Sequence, residues 1–273
     1  MTGSPSGTTG GQPASGTTGG PASGTAGGRV LPVNELPAHG PVTVDLPVPR
    51  RVLAVGAHPD DIEFGCGATL AKWAASGCEV VHLVLTDGSK GSWDPGSDRA
   101  SLVATRQREQ REAAAIVGGG EVGFCGFPDG ELRNGVREQW EVCRWIRSTQ
   151  PDVVVGHDPW RRYRLHPDHR NAGFVLTDAL VAARDALFFA DQELPAHRPD
   201  ALLLWEADEP NHVENVEGFA AIKVRALLAH HSQHRTTMGD PEVFEQQVVG
   251  QLSRHGALAG VAQGESFRLL TDL

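Results

Sequence analysis

Residues 51–67 read RVLAVGAHPDDIEFGCG: a short apolar run, a histidine, two adjacent aspartates, an acid, then glycines opening a helix. Val52, Leu53, Ala54 and Val55 form the kind of continuous apolar segment that becomes a strand buried on both faces, and Gly56 and Ala57 let it end tightly. His58, Pro59, Asp60 and Asp61 then fall at the carboxyl end of that strand. In open α/β sheets this edge is where ligands bind, because the loops splay apart there and the next helix points its N-terminus into the crevice. Three groups able to bind metal or move protons, His58, Asp60 and Asp61, are thus held within four residues.

Outward from this stretch, strand and helix patterns alternate. Residues 68–76 (ATLAKWAAS) have helical composition with Gly77 as their stop, and 79–86 (EVVHLVLT) read as a second buried strand. A long helix is expected over 101–117, stopped by the glycines at 118–120, then a strand at 121–127, a helix at 136–149 and a strand at 152–156. Helix resumes from Asp168 through Phe188, 201–205 is another strand, helical patterns fill 216–231 and 241–255, and 266–270 reads as an edge strand. Strands alternating with helices imply right-handed crossovers and a mostly parallel sheet. The expected class is α/β, a Rossmann-like three-layer sandwich.

With 273 residues the chain can bury a substantial core. Residues 1–28 hold no charged or aromatic side chain, so they are expected to be a disordered low-complexity tail. Residues 29–49 are proline-spaced and read as an extended lead-in with an exposed His39, and the single domain is expected over 50–273. There is no basic start followed by an apolar stretch and no run of about 18 apolar residues, so no membrane association is expected and a cytoplasmic, soluble protein is. The net charge of −10 argues against nucleic acid and leaves small molecules as partners. Cys66, Cys78, Cys125 and Cys143 form no Cys-x-x-Cys pair, and buried free thiols are the expectation.

A catalytic divalent metal usually takes three protein ligands and keeps one position open. His58 and Asp61 could converge on an ion, and the third ligand must come from elsewhere. HPDH at 166–169, also just past a buried strand, is the obvious donor. Either His-Pro-Asp alone is usually only a turn and a cap; the pair, with the extra Asp61 and His169, points to a metal site.

Taken together, AHPDDIEFGCGATLAKW at 57–73, TDGSKG at 86–91, RQRE at 106–109, FPDGEL at 127–132, HPDH at 166–169 and HHSQ at 230–233 resemble the PIG-L/LmbE-like zinc-dependent N-deacetylases. The resemblance covers residues 51–235 or so, in the family's order. It implies a Rossmann-like sheet and removal of an acetyl group from an N-acetylglucosamine-type amino sugar conjugate. The inositol glycoside of the mycothiol pathway, a mycothiol conjugate or an antibiotic sugar are the candidates. It further implies zinc (Zn2+), with ferrous iron (Fe2+) as the alternative, held by His58, Asp61 and His169. Asp60 would be the general base, and His166 the acid or oxyanion stabiliser.

On chemical grounds Asp60 must then stay free of the metal to take a proton from water. A cationic His166 would need a nearby carboxylate, for which the family-like FPDG loop nominates Asp129. Arg106 matches the family's arginine and would bind substrate, or pair with Glu109 within its helix. Asp87 would line the pocket or stabilise a turn. Glu63 would orient a ligand from behind or be a solvated first-turn acid. His82 reads as a core histidine, His157 could go either way, and His231 fits the HSQ element as a contact near the pocket. Some relatives place a tyrosine just before HPDH, and Tyr163, two residues further off, is the candidate here. Arg161, Arg162 and Arg164 hint at an anionic substrate group or are solvated.

Two other readings stand beside this one. A nucleotide-binding α/β domain would use Gly65-Cys66-Gly67, but Leu70 stands where GxGxxG needs its third glycine. A non-catalytic sugar-binding relative would not need the full ligand set. The oligomeric state is open, a homo-oligomer included.

Overall fold

The structure, a computed structural model, describes Gly3 and residues 41–273. The low-complexity tail, His39 and most of the lead-in lie outside the described residues.

The stretch at 51–67 forms strand β2 (Arg51–Gly56) and the start of helix α1 (Asp61–Ala75). Before it, Thr43–Val44 make a two-residue strand β1. Then follow β3 (Glu79–Thr86), α2 (Arg99–Val117), β4 (Glu121–Phe127), α3 (Val136–Thr149), β5 (Val153–His157), α4 (Pro167–Arg184) and β6 (Ala201–Trp205). The chain closes with β7 (His212–Asn215), α5 (Ala220–Leu228), α6 (Pro241–Ala257) and β8 (Gly264–Leu270). One eight-stranded sheet runs in the order β1-β7-β8-β6-β5-β2-β3-β4. Strands β6, β5, β2, β3 and β4 are mutually parallel, and β8 is antiparallel to both its neighbours.

Alternation along β2 divides the core into two layers. Leu53 and Val55 face Ile146 of α3 and Leu176 of α4, while Val52 and Ala54 face Ile62, Leu70 and Trp73 of α1. Val52 and Leu53 are wholly buried and Val55 nearly so, each contributing about 1.5–3 kcal/mol of apolar transfer. Helices on both faces of a mostly parallel sheet make the three-layer α/β sandwich that the alternating pattern implied.

The order of strands positions the site. From β2 the chain crosses to β3 and β4 on one side, then returns to β5 on the other, so β2 and β5 flank the point where the direction of winding reverses. Both strands end in motif loops: His58–Asp61 follow β2, and His157 closes β5 ahead of residues 166–169.

Several element bounds differ from the sequence expectation. Helix α1 starts at Asp61 rather than at 68, and is broken at Cys66 (φ −148°) before continuing. Helix α2 starts two residues early because the Asp98 side chain accepts from the Ser101 N–H at 3.0 Å and caps it. Helix α4 stops at Arg184 instead of running to Phe188, and α5 is shorter than 216–231 because Gly218 takes φ 89° ahead of it and a 3-10 turn at His231–Gln233 follows it. The terminal segment is not an edge strand: β8 lies between β6 and β7, and β1 closes that side of the sheet. β7 is four residues long with no periodicity to betray it. Among the described residues no helix is long and apolar enough to cross a membrane.

Candidate metal centre and active site

Past β2, Asp60 takes φ 104°, a left-handed backbone that L side chains rarely adopt. Its neighbours enforce that turn. Arg106 Nη2 donates to Pro59 O at 2.6 Å, and the Asp60 N–H donates to Gln110 Oε1 at 2.9 Å. The turn swings Asp61 into the first turn of α1, where its Oδ2 accepts from the His58 N–H at 2.7 Å. On the second loop His166 caps α4, its Nδ1 accepting from the Asp168 N–H at 3.3 Å, and Pro167 occupies the first turn. His169 follows within that first turn.

The two loops meet. His58 Nδ1 lies 3.2 Å from His169 Nε2 and 3.2 Å from Asp61 Oδ2, and His169 Nε2 lies 3.2 Å from Asp61 Oδ1. Nitrogen and oxygen ligands about 2.0–2.1 Å from a tetrahedral ion stand about 3.3 Å apart, so this spacing suits a single zinc-sized cation. The residues present therefore fit a divalent metal. His58 offers Nδ1 to this point while Nε2 faces Asp168 Oδ2 and Asp129 Oδ1, each at 3.2 Å. A carboxylate behind a ligating imidazole fixes its tautomer and orientation. Asp168 is itself held by the Gly130 and Leu132 N–H groups.

His157 serves Asp61 in the same way. Trp205 Nε1 donates to His157 Nδ1 at 3.0 Å, which leaves the proton on Nε2, 3.2 Å from Asp61 Oδ2. Burial pushes the His157 imidazole down to about 4, against the pull of Asp61, so it is a neutral donor. Burial works to raise Asp61, but His169 and His157 beside it outweigh this and hold the carboxyl well below the usual range. Asp60 is different: burial raises it to about 6 against the opposing charge of Arg106, and its carboxylate is not part of the converging set. For Asp129 the desolvation is overcome by His58, which brings the carboxyl down to about 2.

Not every residue expected at the site is brought there. Arg106 is buried and lines the cavity, donating to Gly88 O and Pro59 O and lying 3.4 Å from Asp60 Oδ2. Glu109 does not pair with it and instead accepts from Ser232 N and Oγ. Asp87 Oδ1 accepts from the Ser89 and Asp129 N–H groups, a brace between two loops. Tyr163 is 92 % exposed and absent from the cavity wall. Asp129 bonds to His58, and no bond joins it to His166; burial, with His58 and His169 nearby, lowers His166. His231 is exposed, whereas Gln233 lines the cavity. Glu63 is wholly buried, not solvated: Gln110 Nε2 donates to its Oε1 at 2.7 Å, and Oε2 lies 3.4 Å from His230 Nε2. Gly65 is explained by packing, since the Trp205 ring fills the space its Cβ would take.

Gln110 and His157 went unassigned in the sequence. Gln110 sits one turn beyond Arg106 on α2, so extending the RQRE face by four residues would have found it. A cavity of about 570 Å³ opens over the cluster and continues toward α5, α6 and β8, where Lys223, Gln251, His255 and Glu265 line it. Nothing in sequence spacing marks those four.

A parallel sheet with a His/Asp cluster able to hold an ion at its switch point defines a metal-dependent hydrolase of the Rossmann-like type. The family model "PIG-L: GlcNAc-PI de-N-acetylase" matches residues 53–180, and the chain belongs to that family; it is an N-deacetylase. It is 31% identical over 227 residues to a diacetylchitobiose deacetylase of Thermococcus kodakarensis, covering 82% of this chain and 84% of the relative. A 1D-myo-inositol 2-acetamido-2-deoxy-alpha-D-glucopyranoside deacetylase of Streptomyces avermitilis is 28% identical over 236 residues, 75% of this chain and 76% of that one. Among solved structures, the N,N'-diacetylchitobiose deacetylase from Pyrococcus horikoshii superposes with a TM-score of 0.76 at 28% identity, covering 82% of this chain and 84% of its own.

Proposed function

We propose that the chain hydrolyses the acetamide of a small N-acetylglucosamine-type amino sugar conjugate, with zinc held by His58, Asp61 and His169. The observation that carries this is the convergence of His58, Asp61 and His169 from two distant loops, the two imidazole nitrogens 3.2 Å apart and each 3.2 Å from one of the two Asp61 oxygens, with the Asp60 carboxylate left outside the set. The kinship with a diacetylchitobiose deacetylase and an inositol-linked acetamidoglucose deacetylase supports the substrate class.

When bound, the ion supplies Lewis-acid polarisation of the amide carbonyl and lowers the pKa of water to about 7. Asp60, buried with a carboxyl near 6, accepts the proton of the attacking water and returns it toward the departing amine. Arg106 keeps Asp60 aimed through Pro59 O. His166 has Nδ1 engaged by the Asp168 N–H, so its Nε2 carries the hydrogen and donates to the oxygen that gains charge in the transition state. It needs no cationic form for that. Asp129 and Asp168 together keep the Nε2–H of His58 turned away from the ion, which leaves Nδ1 as its ligand.

The test is acetate release from N-acetylglucosamine conjugates, followed by mass spectrometry for loss of one acetyl. Chelation should abolish it and zinc restore it. Turnover that survives thorough chelation, or that ignores the loss of Asp60, contradicts the reading.

A further inference from the structure

The HHSQ stretch at 230–233 has no part in the chemistry above, yet it packs behind the base. On the basis of the proposed deacetylation, we infer that His230 is a positioning residue for that reaction. It fixes Glu63, Glu63 fixes the Gln110 amide, and Gln110 fixes the Asp60 backbone in its left-handed turn.

The contacts run without a gap. The Asp60 N–H donates to Gln110 Oε1 at 2.9 Å, Gln110 Nε2 donates to Glu63 Oε1 at 2.7 Å, and Glu63 Oε2 faces His230 Nε2 at 3.4 Å. A carboxamide alone could lie either way round, with its oxygen or its nitrogen toward Asp60. A carboxylate only accepts, so Glu63 draws Nε2 to itself and leaves Oε1 for the Asp60 N–H. His230 occupies the other Glu63 oxygen and so sets the plane in which Oε1 is offered. Burial works to lower the His230 imidazole, and the Glu63 carboxylate outweighs it and raises the group, so the pair attracts. His82 is no substitute: its Nδ1 stands 3.7 Å from Glu63 Oε1, and burial lowers it.

His230 is held in place by the rest of its turn. Its N–H donates to Leu227 O at 3.1 Å as α5 ends. Ser232 donates to Glu109 through its N–H at 2.9 Å and through Oγ at 2.6 Å, one residue from Gln110 on α2. Gln233 Nε2 donates to Gly91 O at 3.1 Å, in the loop after β3. The turn is thereby tied to α2 and to the cavity wall together.

Stability does not account for the cluster. Glu63, His82 and His230 are wholly buried, whereas α1, α2 and α5 also meet through Ala71, Ala113, Ala226 and Ala229. Apolar side chains in the same space would spare the desolvation of a carboxylate and an imidazole. What they could not do is orient Gln110.

The experiment uses the zinc-loaded protein and its variants His230→Leu and His230→Gln. A glutamine amide reaches Glu63 much as the imidazole Nε2 does, and leucine offers nothing. The readouts are kcat and KM for a conjugate that the wild type deacetylates, zinc affinity by chelator competition, and hydrogen exchange over the peptide that contains the Asp60 amide. In His230→Leu, kcat is expected to fall on the order of 10- to 100-fold with KM and zinc affinity unchanged. Exchange at Asp60 should quicken about tenfold. His230→Gln should restore most of both. In a Gln110→Met background, His230→Leu should lower kcat by less than about twofold, because the link it acts through is already cut. If His230→Leu does not fold, His230→Asn, one methylene shorter than glutamine, carries the same expectation. Native kcat or native Asp60 exchange in the leucine or asparagine variant overturns the assignment. So do equal losses in His230→Gln, a full additive loss in the Gln110→Met background, or weakened zinc binding. If the wild type releases no acetate from any conjugate yet Asp60 exchange responds as stated, the deacetylase reading falls and the hold of His230 on the turn stands.

Discussion

Gln110→Met isolates the device that shapes the left-handed turn at Asp60. Methionine keeps the length of the side chain and removes both polar ends. Gln110 is fully buried and serves two partners: its Oε1 accepts from the Asp60 N–H at 2.9 Å, and its Nε2 donates to Glu63 Oε1 at 2.7 Å. Each partner is stranded by the change. A buried polar group without its hydrogen bond costs about 1–3 kcal/mol, so the pair amounts to roughly 2–6 kcal/mol of stability. At about 2–4 °C per kcal/mol for a domain of this size, Tm should fall on the order of 10 °C. The Asp60 backbone, held at φ 104° against its intrinsic preference, is then free to relax, and a shift of a reacting group by about 1 Å costs about 100-fold in rate. The assay is thermal unfolding of the chelated protein together with kcat and KM for deacetylation after reloading with zinc. The expected result is a lower Tm and a lower kcat with KM little changed. A variant with native Tm and native kcat would refute the role given to Gln110.

Three further outcomes follow from the same geometry. His157→Phe removes the donor to Asp61 and should weaken zinc binding by about 10–100-fold, measured by competition with a chromogenic chelator; unchanged affinity would leave His157 without a part in the site. Asp60→Asn fits the left-handed turn and should lower kcat by about 100- to 10,000-fold with zinc stoichiometry retained; loss of zinc instead would make Asp60 a ligand. Burial raises the thiols of Cys78 to about 11 and Cys125 to about 12, so the native protein should react very slowly with iodoacetamide at pH 8 and all four cysteines quickly once unfolded, as mass spectrometry would report; rapid labelling of either in the native protein contradicts the burial.

The middle of the sheet was legible because its central strands are apolar runs: Val52–Val55 and Val153–Val155 carry their burial in their composition. What escaped was held by long-range pairing. β7 is short and polar, and the segment at 264–270 sits inside the sheet only because β7 and β1 lie beyond it, a relation that no local pattern carries. At the site, the motif residues His58, Asp61 and His169 were readable from spacing and resemblance. The residues behind them were not, because their significance lies in contacts across about 50 or 100 residues, Gln110 to Asp60 and His157 to Asp61. Glu63 was open to two readings, and its burial removes one: an acid in a first helical turn is usually solvated, and here α2 and His230 enclose it. Tyr163 and Asp87 stand near motifs in sequence, yet one points to solvent and the other braces a turn.

The central claim is that one cation joins the two loops. The measurement that tests it most directly is a crystal structure of the zinc-loaded protein with anomalous scattering recorded at the zinc edge. One peak is expected, about 2.0–2.1 Å from His58 Nδ1, an Asp61 oxygen and His169 Nε2, with Asp60 uncoordinated. A peak held instead by His58 with Asp129 and Asp168, or no bound zinc at all, would contradict it.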